Sequence, residues 1–209
     1  MITPQEAKDA SIGYLSSHGI PYIDHLPLID TYDELAPQDS VSVARRAIIL
    51  CHVLGIGFGG SAQRSRDTIH SFGFDPHLSG VERDWLSRET HTDQEHIEAE
   101  WLVECMQAFA WCFRLADLDP FTHCDDDLAS QFPAPFTDPS SFVSTSELRP
   151  FEEIYLQADL HYRLHWAAKR KRYEGVEAGL SESIIRERRR ALDWVIGVEA
   201  DWDQIPMDT

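Results

Sequence analysis

Five side chains in the C-terminal third have the types and spacing to do chemistry: Asp159, His161, Arg163, His165 and Glu187. Asp159 and Arg163 stand four residues apart, as do His161 and His165, and on a helix that spacing puts each pair on one face. Glu187 lies seven residues before Trp194, two helical turns, so it looks the same way as that ring. A planar guanidinium can hold two carboxylates at once, which makes Arg163 the expected partner of both Asp159 and Glu187 across a helix pair. Converging in a partly dry pocket, Asp159, Arg163, His165 and Glu187 would form an acid/base site with shifted protonation. The same residue types also build a buried lock that fixes how two helices dock, and this second reading is the one expected.

His161 and His165 have the two-imidazole spacing of a metal site, with Asp159, His123 and Cys124 as further donors. No HExxH glutamate lies between the two histidines, and a third ligand would have to come from a loop. No metal and no other cofactor is therefore expected.

The elements that must carry these residues are punctuated by helix caps. Thr3-Pro-Gln-Glu6, Ser79-Gly-Val-Glu82 and Thr92-Asp-Gln-Glu95 are capping boxes, in which a hydroxyl and a carboxylate three residues apart satisfy each other's backbone N–H groups. They predict helices over about 4–18, from 80 to about 88, and over about 93–115, the last being the central helix. A further helix from about Ser40 carries Val41, Ala44, Ala47, Ile48 and Leu50 inward and ends at Gly55, and a short one follows near 62–72. The run Gly55-Ile-Gly-Phe-Gly-Gly60 lacks the Lys-Ser/Thr of a phosphate loop and follows a helix rather than a strand, so it reads as a connector. Residues 116–148, broken by Pro120, Pro133, Pro135 and Pro139, read as one long irregular loop draped over the core by Phe121, Phe132, Phe136 and Phe142. Helices over about 150–174, stopped by Gly175, and about 181–197 complete the chain. No alternating strand pattern of useful length occurs. The expected fold class is all-α: one compact multi-helix domain over 1–209, with a proline-rich connector after the first helix, spanning 1–39 together with it.

The chain of 209 residues holds 36 Asp/Glu against 18 Lys/Arg, a net charge of −18. Residues 149–190 hold ten of the cations and seven of the anions, so the acidic excess belongs to everything else. Such a surface repels nucleic acid and lipid headgroups and steers toward basic partners. Lys169-Arg-Lys-Arg172 is a local basic run at a helix end, where cations complement the helix dipole. No apolar run approaching a bilayer span and no secretory leader is read, so a cytoplasmic protein without membrane or nucleic-acid contact is expected. Cys51, Cys105, Cys112 and Cys124 lack CxxC spacing and read as buried thiols. The sequence sets no oligomeric state.

The signature Tyr162-Arg163-Leu-His165-Trp166, then Glu187-Arg188-Arg-Arg-Ala-Leu-Asp-Trp194, then Trp202-Asp203 through Asp208-Thr209, resembles a bacterial family catalogued as domain of unknown function 4272. Glu98-Ala-Glu-Trp101 with Ala110-Trp111 is similar to that family's central helix, and the likeness runs over about 40–209. The resemblance implies an α-helical domain and carries no established activity, catalytic residue or cofactor. With a charge of −18 and no nucleophile or cofactor motif, the expected function is non-catalytic recognition of a protein with a basic surface, one version being an immunity-type inhibitor of a basic toxin. The alternative is an enzyme with a polar site around Arg163, His165 and Glu187, metal-assisted in one form.

Overall fold

Thr3 opens the first helix as its cap, and the helices that follow keep most of the predicted boundaries. The computed structural model describes residues 1–174 and 179–209, and among these nine α-helices, three 3-10 turns and no strand occur. The fold is all-α. The helices are α1 (Pro4–Ser17), α2 (Ser40–Gly57), α3 (Ala62–Ser71), α4 (Gly80–Ser87), α5 (Asp93–Trp101), α6 (Val103–Cys112), α7 (Ser140–Thr145), α8 (Phe151–Glu174) and α9 (Glu182–Ile196). All three capping boxes form, at Thr3, Ser79 and Thr92. The predicted stop at Gly175 lies outside the described residues.

α8 and α9 pack side by side, with α6 against α9 and α1 against α8. The main core gathers Phe109 of α6, Tyr155 of α8, Trp194 of α9, and Trp202 from the 3-10 turn Trp202–Gln204. α2 feeds this core through Ala47 and Leu50, and feeds a second cluster, with Ile69 and Trp85, through Ile49 and Val53. Leu15 and Ile20 form a third with Leu164 and Ile185. They flank a Schellman cap, in which Ile20 N donates to Leu15 O at 2.9 Å around Gly19 at φ +66°.

Four expectations are corrected. The apolar periodicity of 93–115 predicts one helix, but the chain breaks at Leu102 into α5 and α6. Packing overrides periodicity here, because the break lets α5 lie against α2 while α6 enters the core beside α9. α2 passes through Gly55 to Gly57, and the glycine run after it is a second Schellman cap: Gly59 N donates to Ile56 O and Gly60 N to Gly55 O, at 2.8 and 2.7 Å. The 116–148 stretch contains a 3-10 turn (Leu128–Gln131) and α7, which packs on α2. Finally, α2 is long and apolar enough to cross a membrane by length and composition, contrary to the reading that no such run exists. Its 67% burial within the protein and its buried Arg46 mark it as a core helix.

Candidate functional site

The predicted site residues lie on α8 and α9, and the arginines of these two helices fasten α6 and irregular segments onto them. Arg163 holds Asp159 through two bonds, Nε to Oδ2 at 2.8 Å and Nη2 to Oδ1 at 2.9 Å, and also donates to Pro27 O in the connector. Arg188 sits on Glu104 of α6, with Nε at 2.9 Å and Nη2 at 2.8 Å from the same oxygen. Its remaining N–H groups reach Asp119 O and Thr122 O at 2.6 and 3.0 Å. Arg189 donates to Asp193 Oδ2 at 3.0 Å and to Asp208 O at 2.9 Å, and its guanidinium lies 4.8 Å from the Tyr162 ring. Arg190 lies over the Trp202 ring at 4.4 Å and donates to Trp202 O at 3.2 Å. The connector, the loop after α6, the chain's last residues and the Trp202 turn are thus each pinned by a different arginine.

Asp159 and Arg163 pair as their spacing predicts, but Glu187 does not join them. Arg163 points to the connector, whereas Glu187 looks toward α6, where Cys105 Sγ lies 3.6 Å from Glu187 Oε2 and 3.2 Å from its backbone carbonyl oxygen. Glu187 keeps the predicted outlook of Trp194, which meets Phe109 of α6 at 6.1 Å between ring centroids. Its carboxylate is answered by Arg186 at 3.1 Å and Arg190 at 3.7 Å. The expected four-residue convergence is therefore dispersed: Asp159 keeps Arg163, Glu187 stands apart, and His165 turns to Arg189. Trp166 and Trp194 also separate, one half-buried beside Leu15 and Leu164, the other in the main core.

The two histidines find different partners. His161 is fully buried, with Nδ1 3.0 Å from Gln157 O, and desolvation pushes its pKa down to about 3. His165 Nδ1 accepts from Arg189 Nη1 at 3.0 Å, and burial, seconded by that cation, lowers its pKa to about 4. Both are neutral imidazoles. Among the described residues no three His, Cys, Asp or Glu side chains gather where one metal ion could bind them. The Cys105 and Cys112 thiols are buried on α6 as their shared face predicts, and desolvation raises both pKa values.

Sequence reasoning missed Glu104, Gln107, Arg46 and Arg189. Glu104 Oε1 accepts from Cys124 N at 3.1 Å, while Gln107 bonds Asp117 O and both the backbone and side chain of Asp125. The loop after α6 is therefore held by polar anchors as well as by Phe132 and Phe142; Phe121 and Phe136 stay 40% and 37% exposed. A glutamate and a glutamine three apart inside an apolar run were the available signal. Arg46, mid-way along α2, pairs with Glu82 at 2.6 Å and lies 5.4 Å from both Trp194 and Trp202.

Several clefts border this framework, and two of them bring its charged residues together with irregular segments. One of about 300 Å³ lies between the connector, α8, α9 and the last residues, lined by Tyr162, Arg189, Asp193 and Asp208. Burial there raises the Asp193 carboxyl to about 6 despite the Arg189 pair. The other, about 460 Å³, opens between α2, α4, α5 and the Trp202 turn. Asp203 closes one wall by accepting from Val81 N at 2.9 Å, across 122 residues of sequence.

The chain is thus an all-α protein whose C-terminal signature is a set of buried arginine clasps. It belongs to the family described as Domain of unknown function (DUF4272), whose model matches residues 7–205 and so takes in most of α1 and the region that carried the resemblance as far as Ile205, with Asp208-Thr209 beyond the match. No curated protein and no solved structure matches it.

Proposed function

We propose that this chain is a non-catalytic, acidic protein-binding module whose partner presents a basic surface. One observation carries the reading: four arginines are withdrawn into the interior, each with its own carboxylate, so the whole net charge of −18 rests on the remaining residues. Arg46, Arg163, Arg188 and Arg189 are at most 8% exposed, and each is matched by a buried carboxylate, Glu82, Asp159, Glu104 and Asp193. Outside these four pairs, 14 Lys/Arg face 32 Asp/Glu. The signature residues therefore work as scaffold, and the surface left to a partner is acidic. An immunity-type inhibitor covering a basic toxin, such as a nuclease, is one concrete form. The test is capture of a partner from the native host, followed by calorimetry at 50 and 300 mM salt. A stoichiometric partner with a basic surface, bound much more weakly at the higher salt, is expected; salt-independent binding, or a partner with an acidic surface, overturns the reading.

A second reading, an enzyme, is favoured by the Asp193 carboxyl, titratable near neutrality at the wall of the smaller cleft. It predicts a small-molecule ligand that raises the melting temperature of the natural chain and not of Asp193→Asn; a screen in which every hit stabilises both proteins equally removes it.

A further inference from the structure

The larger cleft has the make-up of a receptor for one cationic side chain. Its floor is apolar and buried, with Leu50, Val53 and Ala99 each at most 5% exposed and the rings of Trp85 and Trp202 at 6% and 3%. At its mouth Val81 is 66% exposed, an apolar contact standing in solvent.

The charges around the floor are unequally matched. Glu82 is answered by Arg46, and Arg88 is shared between Asp84 at 3.1 Å and Glu95 at 2.8 Å. Arg190 is occupied by the Trp202 ring and by Glu187. Two lining carboxylates, Glu98 and Asp203, are left without a cation among the described residues: Glu98 has only the Gln94 amide at 3.0 Å, and Asp203 Oδ1 is buried with no hydrogen-bond donor. The indole N–H of Trp85 and the Nε–H of Arg88 also lack acceptors, and a guanidinium, being a donor only, does not supply one, so the Asp203 oxygen is the unmatched atom that a cation can satisfy. Such buried, unmatched polar atoms are rare in folded proteins, and here three of them belong to residues lining one cleft, Asp203 Oδ1 being the acceptor among them.

We propose that this cleft receives an arginine side chain from a basic protein segment, its methylenes on the apolar floor and its guanidinium between the tryptophan rings and the Glu98 and Asp203 carboxylates. Arginine suits the site better than lysine because a planar guanidinium stacks on aromatic faces and bonds carboxylates in pairs. The protein already uses that contact, with Arg190 at 4.4 Å from the Trp202 ring. This inference rests on the reading of the chain as a module for basic partners and assigns it a place.

The test is an NMR titration of the isotope-labelled protein with acetyl-Gly-Arg-Gly-amide, and with the peptide in which neutral citrulline replaces arginine. The Trp85 and Trp202 indole signals should shift and saturate with the arginine peptide, and at least several-fold more weakly with citrulline. Glu98→Lys should weaken the arginine peptide on the order of tenfold, about 1.4 kcal/mol. Asp126→Lys, an equal change of charge on the exposed loop, should leave it unaltered. Shifts spread over many surface acids, or equal weakening by the two variants, overturn the site. A native basic partner that binds natural chain and Glu98→Lys alike would overturn this placement while leaving the proposed function standing; absence of any salt-sensitive basic partner would remove both.

Discussion

Arg188 and Arg88 each hold a carboxylate, yet they sit at opposite ends of the solvent scale. The Arg188 and Glu104 side chains are each 1% exposed, whereas Arg88 is 37% exposed between Asp84 at 68% and Glu95 at 30%. Around Arg188 every charge is matched and the bonds that remain go to loop carbonyls, so the cluster fixes chain paths. Around Arg88 the carboxylates outnumber the cations and border an open cleft. Burial makes an ion pair a structural specification, because removing one member strands the other away from water; exposure makes it nearly neutral for stability and leaves it free to meet a partner.

The contrast can be broken at graded points. Arg163→Met strands Asp159 in the interior and should cost about 3–5 kcal/mol in denaturant unfolding. Because Glu187 faces α6 instead, combining this change with Glu187→Gln should give additive losses; a coupling above about 1 kcal/mol would restore the lock that the spacing suggested. Gly197→Ala should cost roughly 1–3 kcal/mol from its left-handed backbone alone. A Cβ there would also lie 2.1 Å from the Ala36 carbonyl carbon, where the connector pairs with the end of α9. An alanine variant as stable as the natural chain would show that this junction is loose.

Protonation offers a third point. His161 and His165 have folded pKa values of about 3 and 4, below the ordinary value of 6.5, so the unfolded chain binds protons that the folded one refuses. Their contribution is complete above pH 6.5 and is lost as pH falls toward 4, up to about 2 kcal/mol for each imidazole by pH 5. Unfolding followed from pH 7 to pH 5 should show this loss, reduced in His165→Gln; a flat profile would mean that the imidazoles are solvated. The smallest effect is expected on the acidic side, where Asp84→Asn and Glu98→Gln should change stability by no more than about 0.5 kcal/mol.

Helix starts were legible because they depend on three-residue chemistry: Thr3, Ser79 and Thr92 each cap through a glutamate three positions on. The Asp159–Arg163 pair was legible for the same reason, its partners lying one turn apart. The Leu102 break was not, since the apolar pattern runs through it and only the competing demands of α2 and α9 separate α5 from α6. Nor was the choice among arginines. Arg188 finds Glu104 across 84 residues, and Asp203 finds Val81 across 122, distances over which spacing in the chain carries no information. The cleft is composed of such long-range neighbours, which is why its residues were read separately as caps, core and surface.

A double-mutant cycle across Arg188 and Glu104, read by urea unfolding, tests most directly the claim that the signature is a scaffold of buried clasps. Arg188→Met and Glu104→Leu should each cost about 3–5 kcal/mol, and the double variant should be at least 2 kcal/mol more stable than the sum of the two losses implies, because an apolar pair strands no charge. Single losses below about 1 kcal/mol that simply add would contradict the account.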